Sequence, residues 1–373
     1  MIKRSLLTAG LIAASLSNVH ALPYGFYDAR SVAMGNVSMA TGGITTAALS
    51  NPGMLSVNEN KDSFALLLPA LGAQAIDDGN IVDLVDEFQA IGVSLNPEDI
   101  SRQIEILEQL EDASLVAAVI PNMALVYSGK DFTWGITARS NVVVSGGLTD
   151  IIIPDIGNPV LPNARVKALG VAITEIGVPI GTEFSVSGIQ LSVGVAPRFV
   201  QVDSIEYNEL ISDADFEDIR DLDKDDLGSF TTFDAGVTLN VLDTLRIGMV
   251  AKNLIEETKI TPLGNKIDFD THLRVGAAFD AGFMTLAADM DLTEREPIAF
   301  ENPSKSLAVG AEFDAFSIMQ LRLGYQSNIA SGATDPDLLS VGLGFWLGFN
   351  LDVAVVAGED SSFGAFFQTG FHF

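Results

Sequence analysis

The chain has no cysteine among its 373 residues. That excludes disulfides, thiol chemistry and a thioether lipid anchor. Histidine is nearly absent too: beyond His20 only His272 and His372 remain, on segments read below as different strands. No Gly-x-Ser-x-Gly, His-Glu-x-x-His, Walker loop or dinucleotide fingerprint occurs, so neither catalytic residues nor metal ligands nor a cofactor are expected. Bases are scarce, 20 Lys and Arg against 49 Asp and Glu, for a formal charge of −29. Without Lys and Arg clusters to neutralise phosphates, nucleic-acid binding is excluded. No run of about eighteen apolar residues follows the N-terminal stretch, so a helical membrane anchor is excluded as well.

What is present is oil and glycine. Hydrophobic residues make up 48% of the chain, with 34 Gly and 22 Phe. Apolar residues alternating singly with small or polar ones point to strands, and the chain is read as all-β. Its start has the form of an export signal: Lys3 and Arg4, an apolar stretch from Ser5 to Leu16, then Val19-His20-Ala21 as a small-x-small cleavage site. The expected divisions are a signal peptide over 1–21, a small-residue segment over 22–60, and strands over 61–373.

Alternation predicts strands near 62–71, 121–128, 131–146, 164–178, 188–205, 229–242, 244–257, 268–280, 282–293, 305–315, 316–328, 337–347, 349–358 and 362–373. They number fourteen, an even count that brings both ends of a closed barrel to the same side. Short links at 128–130, 242–244, 280–282, 314–315 and 347–348 alternate with long ones, as in membrane barrels. Aromatics flank the short links, among them Tyr127, Phe132, Trp134, Phe279, Phe283, Phe313, Phe316, Phe345 and Phe349, which would form an interfacial girdle. Two long loops, about 72–120 and 206–228, are strongly acidic. Segment 77–112 holds eleven acids and one base, Arg102, and segment 203–226 holds eleven acids against Arg220 and Lys224. In the first, Ile81, Leu84, Phe88 and Ile91, then Ile100, Ile104, Leu107 and Leu110 after Asn96-Pro97, predict two amphipathic helices. The second lacks the Gly and Glu of a calcium loop, so it is read as a solvated acidic face or a place for divalent bridging to lipopolysaccharide.

Each strand has an apolar and a mixed face. Phe233, Ala235, Val237, Leu239 and Val241 point one way; Asp234, Gly236, Thr238 and Asn240 point the other. The repeats Leu245-Arg246-Ile247-Gly248, Leu273-Arg274-Val275-Gly276 and Leu321-Arg322-Leu323-Gly324 each turn one Arg and one Gly inward. The expected lumen lining is Arg139, Arg198, Asp234, Arg246, Lys252, Arg274, Asp289, Glu312, Arg322 and Asp352, with Asp291; such charges must pair or stay wet. Inward glycines at 135, 170, 194, 236, 248, 276, 310, 324 and 342 either make room for an occupant or relieve curvature.

Two stretches resemble known proteins. Ala29-Arg30-Ser31-Val32-Ala33-Met34-Gly35-Asn36, then Ala47-Ala48-Leu49-Ser50-Asn51-Pro52-Gly53-Met54-Leu55, is similar to the opening of FadL, PorV and TraF-like outer-membrane proteins, and most similar to the TraF-like conjugal transfer family. The resemblance implies a membrane-spanning barrel in the bacterial outer membrane whose segment 22–60 folds into the lumen as a plug, with Asn51, Pro52 and Gly53 as its gate. It also implies passage of hydrophobic small molecules or, alternatively, the docking of partner proteins in a secretion or conjugation assembly. The last strand ends Phe367-Gln368-Thr369-Gly370-Phe371-His372-Phe373. That ending resembles the signal read by the outer-membrane barrel assembly machinery, with Phe367, Phe371 and Phe373 as its aromatic positions. The expected partners are therefore that machinery, outer-membrane lipid and lipopolysaccharide, and a hydrophobic ligand.

Overall fold

A computed structural model describes residues 27–57, 62–78, 80–111, 113–154, 161–186, 189–215, 223–242, 244–295, 303–315, 318–333, 335–358 and 362–373. The expected signal peptide, the outer parts of the 22–60 segment, the turn residue Asp243 and Phe316 lie outside the described residues.

Before the first strand come α1 (Ala29–Ala33), α2 (Ile44–Ser50) and a 3-10 turn (Pro52–Met54). The first strand, β1 (Phe64–Asp78), leads into the helices α3 (Ile81–Ile91) and α4 (Pro97–Gln109). The wall continues with β2 (Ser114–Ser128), β3 (Thr133–Ile152), β4 (Asn163–Gly177), β5 (Ile180–Val186), β6 (Ile189–Leu210), β7 (Asp225–Leu242) and β8 (Leu245–Lys252). A separate hairpin follows, β9 (Glu257–Ile260) and β10 (Lys266–Phe269). The rest of the wall is β11 (His272–Asp280), β12 (Met284–Asp291), β13 (Ser306–Ala315), β14 (Met319–Asn328), β15 (Leu338–Trp346), β16 (Asn350–Gly358) and β17 (Phe363–His372).

The wall strands pair antiparallel with their neighbours all the way round, and β1 closes the ring between β17 and β2. The sheet counts 15 strands, but β4 and β5 are two pieces of one wall strand. Gly177 lies opposite Thr137 and Ile180 opposite Trp134, so the register runs straight through. The closed antiparallel barrel therefore has 14 wall strands, 15 − 1, matching the count expected from alternation. The break falls at Val178-Pro179, where proline has no N–H for the ladder. The wall stays sealed there: the Pro179 carbonyl accepts from the Gly135 amide at 2.9 Å, and the Val178 amide donates to Pro197 at 3.0 Å.

At the closing seam Pro69 again interrupts the ladder, in a register shift between Leu67 and Ala70. The Thr369 hydroxyl takes up the Leu68 carbonyl left over by the bulge. Phe373 completes the seam, its carbonyl accepting from Ser63 at 2.6 Å and Phe64 at 3.1 Å.

Outward side chains form an apolar belt. Phe233, Leu239, Ile247, Met249, Phe279, Leu286, Val309, Leu321, Val341, Val353, Phe363, Phe367 and Phe371 are all exposed. A continuous surface of this kind is not stable in water and fits the hydrocarbon of a bilayer, making this a membrane-spanning barrel. Tyr127, Phe132, Trp134, Phe283 and Phe373 ring the end with short turns, in the place expected for the girdle.

Three boundaries differ from those read by alternation. First, β1 and β2 reach 78 and 114, shortening the expected 72–120 loop. Weakly patterned ends such as Gly72-Ala73-Gln74-Ala75 become strand because β17 and β2 supply ladder partners. Second, β4 is followed by the extra piece β5. Third, the strands expected over 244–257 and 268–280 stop at Lys252 and begin at His272. Asn253, with a left-handed φ of 55°, turns the chain out of the wall and into the β9–β10 hairpin.

The wall is uneven in height. β6 has 22 residues and β8 has 8, or roughly 70 Å against 26 Å of chain before tilt. The tall side carries layers on both faces at the long-loop end. Ala164, Val166 and Ala168 of β4 join Tyr207 and Ile211 under α3 and α4. On the opposite face Leu169, Val171 and Ile173 meet Ile267 and Phe269 of the hairpin. The two helices form as expected, with Asn96 accepting from the Glu98 amide at 3.2 Å ahead of Pro97. Their buried face is Ile81, Val85 and Phe88 with Ile106, Leu107 and Leu110.

Candidate functional site

Residues 27–57 run inside the barrel and are almost wholly buried. Local rules shape this inner segment. Asp28 caps α1 by accepting from the Ser31 amide at 2.7 Å, and it also receives the Thr46 hydroxyl, tying α1 to α2. Gly35 and Asn36, both at left-handed φ (73° and 72°), end α1 and reverse the chain. Asn51 caps the 3-10 turn, accepting from the Gly53 amide at 2.9 Å, while its NH2 donates to the Met39 carbonyl at 2.8 Å.

The inner segment lies directly on wall glycines. A Cβ at Gly194 would overlap the Pro52 carbonyl; at Gly236, the Asn51 amide; at Gly248, the Met39 carbonyl. At Gly276 it would meet the Met39 side chain and Asp289, at Gly310 and Gly324 the Met34-Gly35 backbone, and at Gly342 the Ala33 side chain. Gly181, which alternation did not single out, lies under Pro52 as well. Of the two readings of inward glycine, room for an occupant holds at these positions. It fails at Gly135 and Gly170, whose neighbours are other wall residues.

Polar ties fasten the segment to the wall in three groups. In the first, Arg30 lays its guanidinium on Glu312 through Nε at 2.8 Å and Nη2 at 2.7 Å. Glu312 also accepts from Arg322 at 2.5 Å, Arg322 pairs with Asp352 at 2.5 Å, and Gln368 links Asp352 back to the Ala29 amide. In the second, Asp289 accepts from the Ser38 and Met39 amides at 2.7 and 3.0 Å. Arg274 lies 3.9 Å from Asp289 and 3.4 Å from Asp291, and His272 is 3.5 Å from Asp291. In the third, Lys252 donates to the Leu49 carbonyl at 3.3 Å and pairs with Asp234 at 3.6 Å. Arg198 bridges Glu175 and Asp234 at 2.7 Å each, and Arg139 lies 3.6 Å from Glu175. Lys252 and Arg139 also stand over the Tyr27 ring, 4.9 and 5.4 Å from its centre.

Six bases (Arg30, Arg139, Arg198, Lys252, Arg274, Arg322) thus face six acids (Glu175, Asp234, Asp289, Asp291, Glu312, Asp352), which is how this lumen holds its charges away from water.

Every residue expected to line the lumen points inward. Arg139, Arg198, Asp234, Lys252, Arg274, Asp289, Glu312, Arg322 and Asp352 are buried, while Arg246 sits half-buried near the short-turn end, 3.9 Å from Asp280. One detail differs. Asn51 was expected to hold the wall through Arg246, Arg274 or Arg322, but its bonds go to Met39, Gly53 and, at 3.5 Å, to Thr238 of β7. The arginines instead satisfy carboxylates, which they bind more strongly than an amide. Sequence reasoning passed over Tyr27, Arg30, Glu175 and Gln368. The sign for Arg30 was its position as the single base in a stretch of small residues. At the terminal strand Phe367, Phe371 and Phe373 face outward, whereas Phe366 and Gln368 are buried inside.

At the long-loop end the acids are partly arranged. Arg102 fastens α4 to Glu87 of α3 at 2.6 Å and also pairs with Glu105 at 2.9 Å. Its hydrogen bond holds the Glu87 carboxyl below the usual range, while burial, Asp83 and Asp215 push Asp86 above it. Among the described residues no acid or histidine cluster could hold a metal ion.

A closed barrel with an oily belt outside and a small-residue segment bolted into its lumen defines the FadL-type outer-membrane barrels. Within that class, residues 48–291 match the family described as "F plasmid transfer operon, TraF, protein". The match covers 291 − 48 + 1 = 244 of 373 residues, and the chain belongs to this family. Solved structures share the fold at low identity. A deletion mutant of the TodX monoaromatic hydrocarbon channel aligns with TM-score 0.56 and 13% identity, over 93% of this chain and 99% of that one. The CymD monoaromatic hydrocarbon channel gives 0.54 and 11%, over 93% and 97%. The Ralstonia pickettii toluene transporter TbuX gives 0.53 and 13%, over 93% and 98%. Comparison with curated proteins finds no match by sequence.

Proposed function

We propose that the protein is a bacterial outer-membrane channel that passes small hydrophobic molecules, with residues 27–57 as a displaceable plug. The observation that carries this reading is how the plug is held. Its backbone rests on wall glycines, and three groups of hydrogen bonds and ion pairs fasten it, with no covalent link. Such an occupant can shift without unfolding the wall, whose ladder is complete on its own. The short turns would then face the periplasm and the acidic loops the outside, where divalent ions bridge them to lipopolysaccharide. Phe367, Phe371 and Phe373 would present the outward face read by the barrel assembly machinery. The channels that share the fold are named for toluene or monoaromatic hydrocarbons, which gives the ligand class to try first.

A second reading, a sealed barrel that docks partner proteins in a secretion or conjugation assembly, is favoured by Val93 and Leu95. These two sit at the tip between α3 and α4 with 89% and 83% of their surface exposed. Uptake of labelled toluene into proteoliposomes separates the two. Protein-dependent uptake supports the channel; a rate equal to that of empty vesicles supports the docking barrel.

A further inference from the structure

Between the β9–β10 hairpin and the inner wall lies a cavity of about 40 Å³. One side is apolar, made by Ile173, Ile267 and Phe269, and Phe269 packs on Phe230 with ring centres 4.9 Å apart. The other side is polar, with Asn141, Arg198 and Glu175 prominent. Asn141 and Arg198 are 4% and 8% exposed, so both belong to the interior.

Two polar atoms here have no hydrogen-bond partner among the described residues: Oδ1 of Asn141 and Nε of Arg198. The other nitrogens of Arg198 are engaged, Nη1 with Glu175 and Nη2 with Asp234 and Asn253. The wall therefore offers one acceptor and one donor into a space about the size of a single water. Leaving both unmade is costly in a buried setting, so the site is built for a group that does both.

Charge narrows the class. Glu175, Asp268, Asp270 and Glu294 line the cavity against Arg198, Arg295 and His272. A carboxylate entering would meet Glu175, and an ammonium would meet Arg198. A hydroxyl carries no net charge, donates once and accepts twice. We propose that this cavity seats the hydroxyl of a small hydroxylated hydrophobe, a phenol or an alcohol, whose hydrocarbon part lies against Ile173, Ile267 and Phe269. This deepens the channel reading above and rests on it for the direction of passage, but binding stands apart from transport. The hydrocarbon part enters as the hairpin lifts. One carboxylate pins the hairpin tip to the wall: Glu206 of β6 accepts from Thr261 at 2.6 Å, Asn265 at 2.7 Å and the Leu263 amide at 2.9 Å.

The test compares p-cresol with toluene, which differ by the hydroxyl alone. Binding is measured by calorimetry on the full-length protein in detergent, beside uptake of each compound into proteoliposomes. A site that hydrogen-bonds a hydroxyl rejects the analogue lacking it, so wild type should bind p-cresol about tenfold or more tighter. Asn141→Leu, matched in size, should bring the two within about threefold, and Glu206→Gln should speed p-cresol association while keeping the preference. Equal binding of the two by wild type, binding of neither, or an undiminished preference in Asn141→Leu overturns the proposal. If Asn141→Leu does not fold, the wild-type comparison decides. Binding with preference but no uptake of either compound sinks the channel reading and leaves this site standing. Uptake of both with no preference does the reverse.

Discussion

Arg30 and Glu312, 282 positions apart in sequence, form a two-pronged ion pair inside the barrel at 2.8 and 2.7 Å. Glu312 is shared, since Arg322 of the wall also donates to it, so one wall carboxylate serves both the plug and the barrel. Removing that carboxylate leaves two guanidiniums short of a partner, whereas removing Arg30 leaves Glu312 still paired. Breaking a buried pair from one side costs on the order of 3 kcal/mol. Glu312→Ala should therefore lower the midpoint of heat-induced unfolding on gels clearly more than Arg30→Ala does. Equal midpoints for the two variants would contradict the shared role.

The glycine belt makes a second, sharper forecast. Gly324 lies under the Met34-Gly35 backbone and has no space for any side chain. Gly324→Val should expel the plug while the wall still closes, visible as protease sensitivity near Arg30 in a protein that keeps its folded gel mobility. Gly170 faces Val144 and Ile205 at ordinary contact distances, 3.4 and 3.6 Å. Gly170→Ala should change stability by less than about 0.5 kcal/mol. Plug release by Gly170→Ala, or none by Gly324→Val, would refute the belt.

Much of this architecture was legible in the sequence because a barrel wall repeats one simple rule. Alternation such as Phe233-Asp234-Ala235-Gly236 reports which side is wet, and a closed sheet leaves few other ways to satisfy it. Hence the fourteen wall strands and the inward charges could be read directly. Pairing across the lumen could not. Nothing local tells that Arg30 meets Glu312 rather than Asp289, because their meeting depends on how the plug threads through the ring. The β9–β10 hairpin was hidden for a related reason. Its alternating Lys266-Ile267-Asp268-Phe269 reads like wall, and only the left-handed Asn253 and the turn at Gly264 lift it away.

Orientation gives a third prediction. With 77–112 and 203–226 outside the cell, protease added to intact cells should cut within them. It should not cut near Lys130 or Asp280, which belong to the short-turn end. Cuts at Lys130 would mean the barrel is inverted.

The terminal strand gives a fourth. Phe371 and Phe373 face outward, and the Phe373 backbone bonds to both Ser63 and Phe64. Placing Asp at both positions 371 and 373 sets charge on the bilayer-facing surface beside the closing seam. The heat-modifiable folded band should disappear from outer-membrane fractions. Wild-type amounts of that band would show that these aromatics have no part in assembly.

The central claim is that the inner segment closes the channel, and single-channel conductance in planar bilayers tests it most directly. The intact protein should conduct ions poorly. A variant lacking the 22–60 segment behind its export signal should fold and show a steady, much larger conductance. Asn51→Ala, which cuts the tie between the 3-10 turn and Met39, should flicker between the two levels. If the deletion variant folds and its conductance equals that of the intact protein, the segment is not a plug and the channel account fails.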